Sequence, residues 1–215
     1  MVVQTPQEME KQQSIKTPSD YVTFEEFLTL DIEGRAEWVD GKVEEHISVT
    51  WGHNDLIGFL YVLLKIFLQR KKLGVIALPG YPMKLPELKR GREPDLLVVL
   101  HTHRERLKPT FLDGAADICI EIVSEESVKR DYETKFKEYQ AAGVPEYWIF
   151  DTIRQDAIIH VLNDKGKYQV YSRGADGRLL SSLLPEFSLD PALLWQDELP
   201  NLETIPALVT AMLAA

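Results

Sequence analysis

Two acidic residues interrupt runs that otherwise read as buried β-strands. Asp95 stands directly before Leu96-Leu97-Val98-Val99-Leu100, and Glu121 sits inside Ile118-Cys119-Ile120-Glu121-Ile122-Val123. An ionised carboxylate buried alone is costly, so such a residue is normally paired or bound to a metal. Alternation along a strand puts Glu121 on one face with Cys119 and Val123, turned away from the three isoleucines. If the two strands are neighbours, both carboxylates can reach one divalent cation. Mg²⁺ suits such a pair, because it takes one or two carboxylates and fills its shell with waters and phosphate oxygens. The chemistry would be metal-assisted hydrolysis, the ion acidifying a bound water and neutralising the phosphate under attack. A nearby lysine would orient the hydroxide or stabilise the charged transition state.

Further candidates flank this pair. Lys135 lies three residues after Tyr132 and four before Tyr139, at the border of an apolar helical stripe from which it can reach back over a strand. The plainer alternative is a stem that covers the helix boundary and a head in water. Lys137 falls on the opposite face. Tyr139 is expected in the core with its hydroxyl turned toward the site. His53, at a helix start after Trp51-Gly52, suits either a phosphate contact or a structural role. Asp131 opens a helix, where its charge complements the dipole. Residues 81–110 carry Lys84, Lys89, Arg90, Arg92, Arg104, Arg106 and Lys108 against Glu87, Glu93 and Asp95. That local excess can steer a phosphate backbone, and Arg92 is its member nearest Asp95 in the chain.

The elements that must hold these residues are legible. Thr23 followed by Glu25 and Glu26 caps a short helix. Asp40-Gly41 between alternating segments predicts a hairpin. From Gly52 to about Lys72, Leu56, Phe59, Leu60, Leu63, Leu64, Phe67 and Leu68 form one wide apolar face, and Gly74 is the expected stop. VIALP, EPDLLVVL and DICIEIVS read as strands, the last two apolar enough to be buried on both faces. A helix over 129–142 ends at Gly143, EYWIFD is the next strand, and AIIHVLN with KYQVYSR makes a second hairpin. A short strand and terminal helices follow. The fold class is therefore α/β, a mixed sheet with an αβββαβ core.

The chain has 215 residues, 45% of them hydrophobic, and a mean hydropathy of −0.17. This suits one domain: a loose polar tail over 1–19, a domain over 20–190, and a helical extension over 191–215 packed on it. Cys119 is the one cysteine, so an internal disulfide and a cysteine-built zinc site are excluded. The N-terminus lacks a signal-peptide pattern and no stretch is long enough to span a membrane, which makes the cytoplasm the default. A net charge of −10 argues against indiscriminate nucleic-acid binding. Nucleotide-binding glycine loops, G-x-S-x-G and H-E-x-x-H are all missing, and His101-x-His103 lacks further ligands.

Glu93-Pro94-Asp95 with Glu121 in a later hydrophobic strand resembles the PD-(D/E)XK nuclease superfamily. The longer succession EWVDG, EPDLLVV, IEIVSEES and DYETKFKEYQAAGVPEYWIFD is similar to the Uma family of restriction-endonuclease-type domains, over roughly residues 20–190. The resemblance implies a restriction-endonuclease-like core with an N-terminal hairpin and C-terminal hairpin and helix additions. It implies a Mg²⁺- or Mn²⁺-dependent DNA endonuclease, with Asp95 and Glu121 on the metal. The superfamily's lysine two residues after the second acid is Val123 here, and the resemblance moves that role to Lys135. It also makes Glu37, the acid of E-x-x-D-G, a candidate for a second metal or for water positioning. His53, Tyr139 and Arg92 are the expected substrate contacts. The alternative is a non-catalytic nucleic-acid-binding or scaffold protein on the same fold, and RNA or a branched structure remains open as substrate. Exposed hairpins and the apolar C-terminal tail make a homodimer the expected assembly.

Overall fold

The computed structural model describes residues 21–32, 34–46, 50–171 and 173–214, so the tail expected over 1–19 lies outside it. Helix α1 (Phe24–Phe27) carries the capping box that its sequence encodes: Glu26 N–H donates to Thr23 Oγ1, and Thr23 N–H donates to Glu26 Oε2 at 2.8 Å. Strands β1 (Arg35–Val39) and β2 (Lys42–His46) form the expected hairpin, with Val39 opposite Lys42. Asp40 and Gly41 both take positive φ, 49° and 82°, the two-residue turn that matches strand twist.

Helix α2 (Trp51–Lys71) starts at a Thr50 cap and buries the leucine and phenylalanine face read from the sequence. Its end differs from expectation. Lys72, not Gly74, takes the left-handed cap at φ 53°. Gly74 instead opens β3 (Gly74–Ala77), where a Cβ would come 2.3 Å from the Val99 carbonyl oxygen. Close backbone approach, not helix termination, requires glycine there.

The central sheet contains β3, β6 (Leu96–Leu100), β8 (Ile118–Val123), β9 (Glu146–Asp151), β10 (Asp156–Leu162) and β11 (Tyr168–Val170), in the order β11-β10-β9-β8-β6-β3. Only the β8–β9 pairing is parallel among these neighbours. Its two faces have different covers. Ile118, Ile120 and Ile122 pack with α2, while Cys119 and Val123 pack with Tyr139 and Tyr147. A π-helix over Arg130–Lys135 running into α3 (Phe136–Ala142) replaces the uniform helix expected over 129–142. Gly143 ends it at φ 76° as read. Helix α4 (Ile205–Leu213) packs Ile205, Val209 and Met212 into the α2 core.

The stretch 81–110 departs most from its reading. It builds β4 (Met83–Leu85), β5 (Arg90–Arg92) and, just beyond, β7 (Leu112–Asp113), which join the hairpin in a second sheet ordered β2-β1-β5-β4-β7. Its cations are not a free basic loop. Lys84 pairs with Glu25, Arg90 with Asp40 and Glu138, and Arg92 with Glu37 and Glu138. His103 binds Asp117 at 2.7 Å.

Candidate active site

The link from β5 to β6 (Arg92-Glu93-Pro94-Asp95-Leu96) carries the chain from one sheet into the other, and the site forms at that seam. Leu96 pairs with Ile120 and Leu97 with Cys119 across the antiparallel β6–β8 ladder. Asp95 is the residue just before that ladder begins, beside the Glu121-Ile122 step of β8. Asp95 Oδ2 accepts from the Ile122 N–H at 2.8 Å. That bond to the residue after Glu121 brings the two sequence-selected acids to the same place at the seam.

The face that carries Glu121 is roofed by the π-helix and α3. Asp131, Lys135 and Tyr139, spaced by four, are all buried beneath it. Lys135 Nζ lies 2.9 Å from Glu121 Oε1, and the Tyr139 hydroxyl donates to the same oxygen at 2.8 Å. Glu37 comes in from β1. The pairing of Trp38 with Gly91 sets Glu37 across from Arg92, and the Arg92 guanidinium donates to Glu37 Oε2 at 2.7 Å. Glu37 Oε1 accepts from the Glu93 N–H at 2.9 Å and lies 3.1 Å from Lys135 Nζ. Lys135 is thus clamped between two carboxylates from different sheets. Arg92 also forks onto Glu138, at 2.6 and 2.9 Å.

Asp95 is bound from three sides. Arg35 Nη1 donates to Oδ1 at 2.8 Å, His53 Nε2 lies 3.2 Å from Oδ2, and the Ile122 amide completes the set. Arg35 also holds Glu93 at 3.0 Å. His53 reaches Asp95 because Thr50 caps α2 and aims the helix N-terminus at the seam.

These environments split the two acids. Burial works against the Asp95 charge, yet the hydrogen bond and field of His53, with Arg35 and Lys135, hold its carboxyl well below the usual carboxylate range. Burial pushes Glu121 up to about 8, opposed by Lys135 and reinforced by Asp95, Asp131 and Glu37. Burial also opposes the Lys135 charge, but Glu121, Glu37, Asp131 and Asp95 keep it protonated and raise it above the ordinary lysine range. Paired carboxyls with opposite shifts, at a cavity, are the pattern of a reactive site.

A cavity of about 450 Å³ opens over this floor. Glu93, Asp95, Glu121 and Asp131 line it, with Glu125 and Glu126 at its loop side, against the cations Arg35, Arg130 and Lys135. That excess of negative charge repels a bare phosphodiester and attracts a cation. Among the described residues, no group of three or more His, Cys, Asp and Glu side chains is placed to hold an ion unaided. The donor set fits a hard ion that keeps most of its waters, with Asp95 and Glu121 as its two carboxylates. Asp95 Oδ1, bound by Arg35 alone, keeps a lone pair for such an ion, and the described bonds to Glu121 all fall on Oε1, away from Oε2.

Of the residues selected from sequence, the fold gathers Asp95, Glu121, Lys135, Glu37, His53 and Tyr139 into one connected network. Asp95, Glu121, Lys135 and His53 line the cavity. Tyr139 and Glu37, both 0% exposed, are buried behind it, as is Arg92 at 2%. These three act on the site through Glu121 and Lys135 and present no face to a substrate. Asp131, read as a helix-start acid, does stand in the first helical turn, and it is also a buried wall of the cavity. The i, i+4, i+8 spacing with Lys135 and Tyr139 was the available signal. Arg35, which fixes Asp95, carried none. Among the described residues no helix is long and apolar enough to cross a membrane.

Comparison with known proteins gives a concordant result. The family model of Uma2, described as "Putative restriction endonuclease", matches residues 24–192. Among solved structures, a "putative nuclease belonging to DUF820" from Anabaena variabilis ATCC 29413 superposes with a TM-score of 0.67 at 17% identity. The match covers 81% of this chain and 97% of the other, and at that identity it shows the shared fold. Among curated proteins, none matches.

Proposed function

Since the chain belongs to the Uma2 family of restriction-endonuclease-type domains, we propose that it hydrolyses phosphodiester bonds in DNA with Mg²⁺ or Mn²⁺ at the Asp95–Glu121 pair. The observation that carries this reading is that Asp95, held on the Ile122 amide, and Glu121 line the same acidic cavity, with the Lys135 amine 2.9 Å from Glu121. A divalent cation bound there supplies a water that ionises near neutral pH and positive charge for the phosphate. Asp95, kept ionised by His53 and Arg35, is the permanent anionic ligand. Glu121 holds a proton until a cation displaces it, so metal binding releases that proton. Lys135 stays protonated and therefore acts as a donor to charge building on the phosphate, not as a base. Glu37, Arg92 and Tyr139 hold Lys135 and Glu121 in place from behind. His53, expected at phosphate, orients Asp95.

Plasmid nicking tests this. Purified protein should nick supercoiled DNA with Mg²⁺ or Mn²⁺ and not with EDTA, while Asp95→Asn and Glu121→Gln should each lose roughly 10²-fold or more. Undiminished nicking by both variants would remove the assignment. The other reading, a nucleic-acid-binding or scaffold protein on this fold, draws on the Arg35–Asp95 ion pair, which occupies an oxygen that the ion needs. It is favoured if wild-type protein neither nicks DNA nor is stabilised by Mn²⁺. DNA as the substrate and a homodimer with two sites for two-strand cutting belong to the proposal as well.

A further inference from the structure

Three buried carboxylates elsewhere in the core have both oxygens engaged. Glu146 receives Trp148, Ser182 and the Leu183 amide. Asp151 receives Tyr132, Arg154 and two backbone amides. Asp117 takes the Leu100 amide and His103. Asp131 is different. It is 1% exposed, it lines the cavity, and its Oδ1 has no hydrogen-bond partner among the described residues. The nearest cation recorded for that oxygen is Arg130 Nε at 3.8 Å, beyond hydrogen-bond reach.

A second orphan faces the same space. His53, 5% exposed, uses Nε2 on Asp95 and leaves Nδ1 without a partner. Buried polar atoms are satisfied in more than about nine cases in ten, and exceptions mark water, ions or reactive groups. The π-helix explains how Asp131 reaches the cavity: within one turn it aims Asp131 and Lys135 at the same side. Direct ligation by a third carboxylate does not fit, since no three such side chains converge. The open oxygen suits a water carried by the ion.

We propose that Asp131 is a positioning residue for the cation site, accepting a hydrogen bond at Oδ1 from a water bound to the ion that Asp95 and Glu121 hold. The proposal rests on the cation-dependent reading above. It assigns Asp131 the part of an outer-shell partner, whose loss typically costs about 10–100-fold in metal affinity. Asp131→Asn keeps shape and removes the charge.

Mn²⁺ titration by calorimetry, alongside thermal melting with and without Mn²⁺, tests it. Wild type should bind Mn²⁺. Asp131→Asn should bind it roughly 10–100-fold more weakly, with a smaller Mn²⁺-induced rise in Tm. A purely structural carboxylate would behave in the opposite sense, so the metal-free Tm of Asp131→Asn should equal or exceed that of wild type. Affinity within threefold of wild type, or a lowered metal-free Tm with the Mn²⁺ response intact, overturns the role of Asp131. Failure of the wild type to bind Mn²⁺ overturns the cation-dependent reading and this proposal together. Asp131→Ser, which leaves room for a water, gives the same readouts if the Asn variant does not fold.

Discussion

At the residue scale, the site is a balance between two carboxylates that line one cavity and are pushed in opposite directions. The raised Glu121 has a consequence for stability. Its folded-state value of about 8 lies above the ordinary glutamate value of 4.5, so the folded protein binds a proton that the unfolded chain has released across that interval. Stability falls with rising pH wherever the native state holds more protons. In EDTA, Tm should therefore decline as pH rises from about 5 to about 8, and Glu121→Gln should flatten that slope. Mn²⁺ should rescue the wild type most at the upper end, because it replaces the proton. A Tm that rises across this range in EDTA, equally in both proteins, would show that Glu121 is ionised in the free protein.

Asp95 and Glu121 were visible in the sequence because each breaks an apolar run where burial makes a charge expensive. Lys135 was visible as a cation bordering a helical stripe. Asp131 was passed over because an acid at a helix start has an ordinary electrostatic explanation. Its four-residue spacing from Lys135, which puts both on one side of the turn, was the signal to weigh against that explanation.

At the element scale, charged residues tie the second sheet to the helix that roofs the central one, and Arg92 is the rivet. It lies on β5 and reaches Glu37 on β1 and Glu138 on α3. Arg92→Met removes one partner from each carboxylate, leaving Lys135 on Glu37 and Arg90 on Glu138, and should destabilise the protein by about 1–3 kcal/mol in urea unfolding. Adding Glu138→Gln to that variant should recover part of the loss. A change under about 0.5 kcal/mol, the range of an ordinary surface substitution, would return Arg92 to the role of a substrate contact. The second sheet was illegible for a related reason. Strands of two or three residues, such as β4, β5 and β7, are too short to show a period, and their cations look like a solvated loop until the partners arrive from distant elements. The long elements were readable throughout, because α2, β6, β8 and β9 bury continuous apolar faces.

At the scale of the whole molecule, a net charge of −10 and an acidic cavity set the terms on which a polyanion can approach. Lys84, Arg90 and Arg92 are spent on internal pairs. DNA binding should therefore depend on a divalent ion more than on a basic surface. A labelled duplex should show no retention in EDTA and saturable binding with Ca²⁺, with a shallow salt dependence because few phosphates are neutralised by Lys or Arg. Tight binding in EDTA with a steep salt slope would place the nucleic-acid surface elsewhere.

The central claim is that Asp95 and Glu121 jointly hold one cation. Anomalous diffraction from crystals soaked in Mn²⁺ tests it most directly. The account predicts a peak between the two carboxylates, about 2.0–2.4 Å from an oxygen of each, with the Lys135 amine still on Glu121. A cavity without a peak at saturating Mn²⁺, or a peak bound by neither residue, would contradict it.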